Sequence, residues 1–379
     1  MGHNACAAVH VIANAATWME GSAIEQLKRT AQLPGMAAVA GMPDLHPGRG
    51  YPVGAAFFSQ GHFYPALVGN DVGCGMAFFQ TDLPRAKWSG QKLADRLGSI
   101  DGALDASWRE QLAALGLADH AHAHSLGTIG GGNHFAEVQQ LETLYLSVEQ
   151  AREQLPWLQP KALQLLVHSG SRGWGESILR AHIDAHGHAG LTADSEAAQA
   201  YLQQHDAALV FARHNRQLIA LRMLQAWRAE ATGVLDIHHN FVAPAVLHGQ
   251  PGWLHRKGAT PADQGLVMIP GSRGDHSYLV RPVPSADSLY SLAHGAGRKW
   301  MRSECQGKLG NRLRLQDLLR TDMGSTVVCN DRALVFEEAP QAYKKIDSII
   351  ASLEEAGLIE KLARFKPVMT YKTRGGCAC

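Results

Sequence analysis

The 379-residue chain has few cysteines and few charged residues for its length. Its six cysteines are widely spread and form no disulfide framework, so we expect a reducing, cytoplasmic environment. No apolar run is long enough for a transmembrane helix and no signal peptide is recognisable, so we expect no membrane partner. Charged residues make up 18% of the chain and the formal net charge is +1, which excludes a globally basic nucleic-acid-binding protein.

Familiar nucleotide-binding motifs are also missing. The chain contains neither a Walker-type Gly-Lys-Ser/Thr sequence nor a dinucleotide-binding glycine pattern after a strand, so any nucleotide must bind in another way. What the chain has in excess is histidine, with 20 residues. Such an excess points to metal binding or acid–base chemistry.

Alternating apolar and polar segments predict both strands and helices. We predict strands over residues 7–13, 36–41, 75–81, 163–167, 234–240 and 326–330, and helices over 22–32, 175–186 and 194–231. A capping box formed by Ser22 and Glu25 is expected to start the first helix. No linker or repeat separates the motifs. We therefore expect an α+β fold, a single large domain over residues 1–379 with mixed β-sheets flanked by helices around a metal-containing cleft.

The segment from Val68 to Gly75 places an aspartate and a cysteine in a glycine-rich turn. Three glycines in eight residues disfavour an ordinary helix or strand, because glycine loses the most backbone entropy in either. A tight turn can bring the Asp71 carboxylate and the Cys74 sulfur to one point, which suits a divalent transition metal. For this segment alone, a buried cysteine in a glycine turn is the alternative.

Three histidines, His134, His168 and His239, stand at strand ends or turns framed by glycine, serine or asparagine. With Asp71 and Cys74 they make five candidate ligands, which exceeds the four of a closed structural zinc site. Five ligands would suit two ions that share a thiolate and keep positions open for substrate oxygens. The residue types do not choose between manganese and zinc.

His294 is followed by small residues and then by Arg298. The small residues leave room for a bulky group beside the imidazole, and an arginine can hold a phosphate through two hydrogen bonds. Histidine can act as a covalent nucleophile and form a phosphoramidate. A sixth metal ligand or a helix N-terminal turn are the alternatives. Arg172, Lys257 and Lys372 could neutralise phosphates or be solvated charges.

Taken together, these motifs resemble those of the RtcB-type RNA-splicing ligases, over nearly the whole chain. Six blocks match in order: Pro43-Asp44-Leu45-His46, Asp71-Val72-Gly73-Cys74-Gly75, Gly132-Asn133-His134-Phe135, His168-Ser169-Gly170-Ser171-Arg172-Gly173, His255-Arg256-Lys257-Gly258-Ala259-Thr260 and His294-Gly295-Ala296-Gly297-Arg298. A later block, Glu338-Ala339-Pro340-Gln341-Ala342-Tyr343-Lys344, and Lys372 match as well.

The resemblance implies an RtcB-like fold and a GTP- and manganese-dependent RNA ligase. Such an enzyme joins RNA 2′,3′-cyclic phosphate or 3′-phosphate ends to 5′-hydroxyl ends. His294 would attack the α-phosphorus of GTP, the RNA 3′-phosphate would take the GMP, and the 5′-hydroxyl would displace it. The two Mn²⁺ ions would be bound, with Cys74 bridging, by Asp71, Cys74, His134, His168 and His239.

The resemblance also implies a guanylate pocket, RNA contacts and partners. Glu137 would accept from the guanine edge, and Arg172 and Arg298 would hold RNA phosphate or substrate oxygens. Expected partners are GTP, RNA with those ends and an archease-like activator, which the family often uses. The implied nucleotide-binding residues are Asn133, Phe135, Glu137, Pro270, Gly271, Ser272, Ser277, His294, Gly295, Ala296, Gly297, Tyr343 and Lys372.

The chain departs from the family pattern at several points. Gly73 stands where the family usually has asparagine, Pro47 where it has an aromatic residue, and the chain is short. These departures indicate a divergent bacterial branch that repairs cleaved RNA rather than splicing tRNA. A binuclear phosphoesterase without covalent nucleotide and a non-catalytic RNA-binding protein are the alternatives. Cys377 and Cys379 are either metal ligands or part of an unstructured tail.

Overall fold

The computed structural model describes residues 7–310 and 312–375. Cys377 and Cys379, for which the sequence allowed two interpretations, lie outside the described residues. Among the helices of the described residues, none combines the length and the apolar character that crossing a bilayer requires.

Strands contribute two large sheets and two small ones to the described part of the chain. The strands are β1 (Ala8–Val11), β2 (Met36–His46), β3 (Val53–Ser59), β4 (His62–Phe63), β5 (Gly75–Pro84), β6 (Phe135–Leu144), β7 (Ala162–Ser169), β8 (Leu191–Thr192), β9 (Ala231–His238), β10 (Asn240–Leu247), β11 (Gln250–Lys257), β12 (Ala259–Pro261), β13 (Val267–Pro270), β14 (Ser277–Pro282), β15 (Ser291–Ala293), β16 (Thr326–Cys329) and β17 (Ile359–Thr373).

The first large sheet has the strand order β1-β2-β3-β11-β10. The second has the order β13-β14-β17-β6-β7-β5-β9, and β16 pairs with β17 beside this path. Pairing is antiparallel except between β1 and β2 and between β16 and β17. Both large sheets are therefore mixed, as expected.

Helices cover these sheets. The helices are α1 (Gly21–Thr30), α2 (Gly90–Leu97), α3 (Arg109–Ala114), α4 (Val148–Gln154), α5 (Gly173–His186), α6 (Glu196–Trp227), α7 (Arg302–Leu309), α8 (Leu315–Leu318), α9 (Arg332–Glu337) and α10 (Ile346–Glu355). The longest, α6, packs against β5 and β7. Its Ile219 and Met223 are fully buried in one cluster with Leu165 and Val167 of β7.

One hydrophobic cluster joins the two large sheets. It contains Phe58 and Leu254 of the first sheet, Ile269 and Val280 of the second, and Ile349 of α10. Because the sheets share this cluster, the predicted α+β fold with mixed sheets flanked by helices around a cleft is confirmed. That a single domain extends over all of residues 1–379 stays a prediction.

Strand β2 extends further than predicted. The sequence predicted a strand over 36–41, whereas β2 runs to His46. The register between β2 and β3 shifts between Gly41 and His46, so Pro43 and Asp44 lie in a bulge. A bulge tolerates Pro43, which has no N–H for a ladder hydrogen bond. Asp44 therefore lies on a strand rather than on a free loop.

The capping box predicted at the first helix is wrong. Helix α1 begins at Gly21 and its N-cap residue is Glu20, which makes no side-chain capping bond. Ser22 lies inside the first turn, and its hydroxyl donates to Glu20 Oε1 at 2.6 Å. The Ser22–Glu25 spacing thus placed the start of the helix two residues too late.

Candidate active site

Four neighbouring strands bring the predicted metal ligands together. In the second sheet the order is β6-β7-β5-β9, with antiparallel pairing throughout. Cys74 precedes β5, His134 precedes β6, His168 lies near the end of β7, and His239 follows β9. In an antiparallel pair one strand starts where its neighbour ends. All four residues therefore lie at the same end of the four strands, which we call the metal-binding edge of the sheet.

Three ligand atoms form a tight cluster at this edge. Cys74 Sγ lies 3.3 Å from His134 Nε2 and 3.1 Å from His168 Nε2. One donor atom from each of these residues lies within 4.8 Å of the others, and all three residues are buried. Asp71 joins them, since its Oδ2 lies 2.7 Å from His134 Nε2.

His239 lies between this cluster and His294. Its ring centroid is 5.1 Å from that of His168 and 4.8 Å from that of His294. The neighbouring His238 is oriented differently, with Nδ1 2.9 Å from Gly73 O. The position of His239 fits the choice of this histidine, rather than His238, as the candidate ligand.

Two glycines allow the close packing around Asp71 and Cys74. A Cβ at Gly170 would lie 2.2 Å from Asp71 Oδ1, so a side chain there would displace the carboxylate. Gly73 has a φ of +77°, and a Cβ there would lie 2.8 Å from the Cβ of Ala212 in α6. Helix α6 thus approaches the turn more closely than a side chain at position 73 permits.

The electrostatic environment of the cluster fits a divalent metal. Burial lowers the pKa of His168 and of His239 well below the usual value, which keeps both imidazoles neutral and able to donate a lone pair. Burial opposes ionisation of Asp71, but His134 and Arg172 hold its pKa below the usual value. Burial and the Asp71 charge raise the pKa of Cys74, so a thiolate there requires a cation beside it.

Unpaired polar atoms support the same conclusion. Asp71 Oδ1 and His239 Nδ1 are buried without a hydrogen-bond partner among the described residues. Buried polar atoms of this kind are costly unless a ligand or ion satisfies them. Sulfur, imidazole nitrogen and carboxylate oxygen together form a donor set that fits a transition metal.

Helix α6 supports the metal-binding edge with two buried polar residues. Asn215 donates from Nδ2 to Gly170 O at 3.2 Å and accepts from Gly127 N at 2.8 Å. Arg216 donates from Nη1 to Gly73 O and to Ser169 O at 2.8 and 2.9 Å. Both residues are 0% exposed, so they fix the turn that carries Cys74 and the backbone that directly follows His168.

Asp44 orients the candidate nucleophile. Its Oδ2 lies 2.7 Å from His294 Nδ1 and 3.3 Å from the His294 backbone nitrogen. Asp44 is fully buried, and Lys344 Nζ donates to the carbonyl oxygens of Pro43 and Leu45 on either side of it, both at 2.9 Å. The two atoms are close but are not aligned as a hydrogen bond, so Asp44 acts on Nδ1 through its charge, which favours a proton on that nitrogen and leaves Nε2 with its lone pair.

A cavity of about 1370 Å³ contains the cluster, His294 and the predicted nucleotide pocket. All predicted metal-binding, catalytic and nucleotide-binding residues line it except Ser277. Ser277 is buried behind Glu137, and Gln139 Nε2 donates to both residues, at 2.7 and 2.8 Å. Asn133 and His134 precede β6, and both line the cavity.

The pocket wall carries a carboxylate whose pKa is raised. Burial raises the pKa of Glu137 to about 7, and the Thr370 hydroxyl donates to it. Burial also lowers the pKa of Lys372 to about 8, and Nζ donates to Gly132 O at 2.7 Å. An acceptor and a cation therefore face the cavity near each other.

Arg298 is part of a buried network. Its Nη1 donates to Glu338 Oε1 at 3.1 Å and to the Tyr343 hydroxyl at 3.0 Å. Its Nε and Nη2 donate to the carbonyl oxygens of Trp300 and Glu337. All three guanidinium nitrogens thus have protein acceptors, so these contacts favour a role for Arg298 in positioning Glu338 and Tyr343.

Three further cations, Arg302, Lys257 and Arg172, line the cavity. Arg302, at the start of α7, has a side chain that is 46% exposed, and its Nε lies 3.9 Å from Glu338 Oε1. Lys257 lines the cavity, and burial lowers its pKa to about 8. Arg172 lines it as well. Together these residues place positive charge on the cavity wall.

Comparison with known proteins identifies the family. A family model described as tRNA-splicing ligase RtcB matches residues 26–115 and 111–373. The RNA-splicing ligase RtcB2 of Escherichia coli (strain ATCC 25922) is 54% identical over 97% of this chain and 97% of its own length. The chain belongs to the RtcB family.

More distant RtcB proteins match over most of their length. RNA-splicing ligase RtcB of Escherichia coli K12 is 29% identical, over 93% of this chain and 95% of its own. tRNA-splicing ligase RtcB of Nanoarchaeum equitans is 30% identical over 87% of both chains. RtcB1 of the E. coli strain that has RtcB2 is 29% identical, so this chain is far more similar to the RtcB2 type.

Several residues of this RtcB-family site were not assigned a role from the sequence. Asp44 was noted only within a matching block, although it contacts His294. Asn215 and Arg216 lie within the long apolar–polar pattern of α6, where nothing local marks them as buried. Arg302 was not singled out from the sequence, although it lies at the start of α7 and lines the cavity.

Proposed function

We propose that the protein is a GTP- and Mn²⁺-dependent RNA ligase that joins 2′,3′-cyclic phosphate or 3′-phosphate ends to 5′-hydroxyl ends. Family membership supports RNA ligation as the general activity. The observation that carries the detailed proposal is the position of His294. Its ring lies 4.8 Å from His239, beside the cluster of Cys74, His134 and His168, with Asp44 behind it.

Asp71, Cys74, His134, His168 and His239 would hold two Mn²⁺ ions. Bound there, the ions would offset negative charge on the reacting phosphates. The chain itself keeps these ligands in position through Asn215 and Arg216. It also keeps the imidazoles neutral through burial.

His294 is the proposed nucleophile toward GTP. The lone pair of Nε2 forms a bond to the α-phosphorus, and the bond from that phosphorus to the bridging oxygen breaks, releasing pyrophosphate. Asp44 at Nδ1 stabilises the positive charge that develops on the imidazole. The guanylate would lie among the predicted nucleotide-binding residues, with Glu137 accepting from the guanine edge.

RNA would then react in two steps. An oxygen of the RNA 3′-phosphate attacks the GMP phosphorus and His294 leaves. The 5′-hydroxyl oxygen then attacks the RNA phosphorus, loses its proton and displaces GMP. Arg172, Arg302 and Lys257 are proposed to hold the phosphate oxygens, because these cations line the cavity. Arg298 is proposed to support this site through Glu338 and Tyr343.

A ligation assay tests this function. A labelled RNA with a 3′-phosphate and a second RNA with a 5′-hydroxyl are incubated with protein, MnCl₂ and GTP, and products are separated on a denaturing gel. We expect a joined product that requires GTP and Mn²⁺ and is lost in His294→Ala. Release of inorganic phosphate or of a hydrolysed end without joining, and independent of GTP, would contradict the proposal and indicate a metal-dependent phosphoesterase.

A further inference from the structure

The segment from Arg298 to Arg314 concentrates positive charge in a chain that is otherwise nearly neutral. It contains six basic residues and one acidic residue, Glu304, a local net charge of +5, whereas the formal net charge of the whole chain is +1. A basic cluster of this kind is the electrostatic footprint of a surface that binds an anionic polymer. The basic residues are Arg298, Lys299, Arg302, Lys308, Arg312 and Arg314.

This segment begins at the cavity that contains the candidate active site. Four of its residues line the cavity, namely Lys299, Trp300, Met301 and Arg302. A Cβ at Gly132 would lie 2.7 Å from Arg302 Nη2 and 2.8 Å from its Nη1. The guanidinium group therefore lies directly on the turn that precedes His134. The basic surface is thus continuous with the metal-binding edge, and α7 extends it from Arg302 to Lys308.

Trp300 is a half-buried indole among these cations. It packs against the hydrophobic cluster that contains Leu309 and Phe336, which holds the ring in place. Lys308 Nζ lies 5.0 Å and Lys299 Nζ 5.9 Å from the centroid of the ring. Met301, the next residue, is 64% exposed. The cavity wall therefore offers an anchored aromatic ring and an exposed apolar side chain within a basic surface.

This combination fits single-stranded RNA. Proteins that bind single strands place aromatic side chains where bases stack and lysine or arginine where the backbone runs. An acidic peptide would use the lysines but not the indole, and a duplex keeps the faces of its bases stacked inside the helix. The proposed ligation also requires a strand end at the metal-binding edge, so the nucleotides next to that end must pass along the cavity wall.

We propose that a base of the RNA close to the reacting end stacks on Trp300, and that Lys299, Arg302 and Lys308 contact the adjacent phosphates. The proposal rests on the proposed function, because it takes an RNA end as the ligand of the cavity. It gives the strand a path from the metal-binding edge past Gly132 and along α7. Every base has a face that can stack, so the contact adds affinity with little sequence preference.

Binding of abasic RNAs tests the stacking contact. A dye-labelled single-stranded RNA with a 3′-phosphate, and separately one with a 5′-hydroxyl, is titrated with protein in MnCl₂ without GTP, and fluorescence anisotropy gives the affinity. The titration is repeated with RNAs that lack one base at successive positions from the reacting end. We expect wild-type protein to bind one of the two strands about 5- to 150-fold more weakly when the stacked base is missing.

Three variants locate the effect. Trp300→Leu keeps an apolar side chain against the cluster but has no aromatic face, so it should bind intact RNA about 5- to 150-fold more weakly and lose the abasic penalty. Trp300→Phe keeps an aromatic face and should stay within about 3-fold of wild type. Lys308→Gln removes one phosphate contact, so the slope of log affinity against log salt should fall in magnitude by about 0.7.

The chain contains a matched control on another surface. Lys361 Nζ lies 5.0 Å from the Tyr145 ring and 2.9 Å from a carboxylate, much as Lys308 lies 5.0 Å from Trp300 and 3.2 Å from a carboxylate. Neither Lys361 nor Tyr145 is among the described residues that line the cavity. Tyr145→Leu and Lys361→Gln should therefore keep the wild-type RNA affinity, abasic penalty and salt dependence.

Several results would overturn the inference. Equal affinity of wild-type protein for intact and abasic RNAs would exclude stacking without any variant. Trp300→Leu that retains the abasic penalty would show that the indole only packs against its cluster. If His294 still acquires GMP in either case, the proposed function stands and only this inference fails. No binding of either RNA and no GMP adduct in wild-type protein would overturn both.

Discussion

At the scale of single residues, the contact between Asp44 and His294 determines how the imidazole can react. The carboxylate lies 2.7 Å from Nδ1, on the side of the ring away from Nε2. Asp44 is held in the bulge of β2 by Lys344, which bonds to both flanking carbonyl groups. Orientation of the nucleophile thus depends on a residue 250 positions earlier in the chain.

Asp44→Asn should slow guanylylation of His294 without loss of fold. An amide does not stabilise the imidazolium that forms during the attack, so we expect the rate to fall by about 10²- to 10⁴-fold. Single-turnover labelling measures the rate, while metal content and thermal melting should stay unchanged. Asp287→Asn, at a position 76% exposed, is the matched control. An unchanged labelling rate in Asp44→Asn would exclude this role.

GTP binding should depend on pH in two directions. Glu137 accepts only as a carboxylate, so affinity rises as pH passes its pKa of about 7. Lys372 loses its positive charge as pH passes its pKa of about 8, which weakens its attraction for the nucleotide, so affinity falls. The rise and the fall in affinity together predict the strongest GTP binding between about pH 7 and about pH 8.

Equilibrium binding of GTP from about pH 6 to pH 9 checks this dependence. Glu137→Gln should weaken binding and remove the rise on the acidic side, because the amide does not titrate. A flat profile in wild-type protein would show that neither group contacts the base.

At the scale of elements, helix α6 supports the metal-binding edge of the second sheet through hydrogen bonds. Asn215 contacts Gly127, Ser169 and Gly170, and Arg216 contacts Gly73, Ser169 and Asp236. These contacts reach the turns before β5 and after β7 from one face of a single helix. The geometry of the ligands therefore depends on a helix that supplies none of them.

Asn215→Ala should weaken metal binding as well as stability. The substitution leaves the buried Gly127 N–H unpaired, at a cost of about 1–3 kcal/mol, and frees the segment after His168. Loss of a supporting hydrogen bond of this kind lowers metal affinity by about 10- to 100-fold. Titration with Mn²⁺ and thermal melting measure the two effects. Gln217→Ala, at an exposed position of the same helix, should show neither, and wild-type metal affinity in Asn215→Ala would contradict this account.

The elements differ in how far the sequence predicts them. Buried strands such as β5 and β7 were predicted within a few residues because their apolar runs end at glycine or polar turns. The end of β2 was mistaken for a loop, since proline and aspartate are typical of loops and a bulge leaves no local signal. The burial of Asn215 and Arg216 was missed because it depends on packing between α6 and distant turns.

At the scale of the whole molecule, the candidate site joins parts of the chain that are far apart in sequence. Its ligands come from residues 71 to 239, and the network at Lys372 comes from the last strand of the described chain. The matching motifs predicted which residues share the cavity, because each stands beside a turn or strand end. They did not predict that Arg298 is enclosed by Glu338, Tyr343 and Trp300, since such contacts depend on side-chain positions.

Metal binding should stabilise the entire fold. The ligands converge only in the folded chain, so Mn²⁺ binds the native state, and at about 100 times its dissociation constant it adds about 2.7 kcal/mol. Thermal melting with and without MnCl₂ measures this as a rise in Tm. Cys74→Ala should lose most of the shift, whereas Cys329→Ala, in a separate buried cluster, should keep it. The same Tm in both conditions for wild-type protein would contradict the metal assignment.

The measurement that tests the central claim most directly is covalent labelling of the protein by GTP. Purified protein is incubated with Mn²⁺ and α-³²P-labelled GTP, denatured and run on a gel, and the labelled peptide is identified by mass spectrometry. We expect an acid-labile GMP on His294 that is absent from His294→Ala, while that variant still binds Mn²⁺. Metal-loaded wild-type protein that leaves GTP intact and acquires no label would contradict the ligase mechanism.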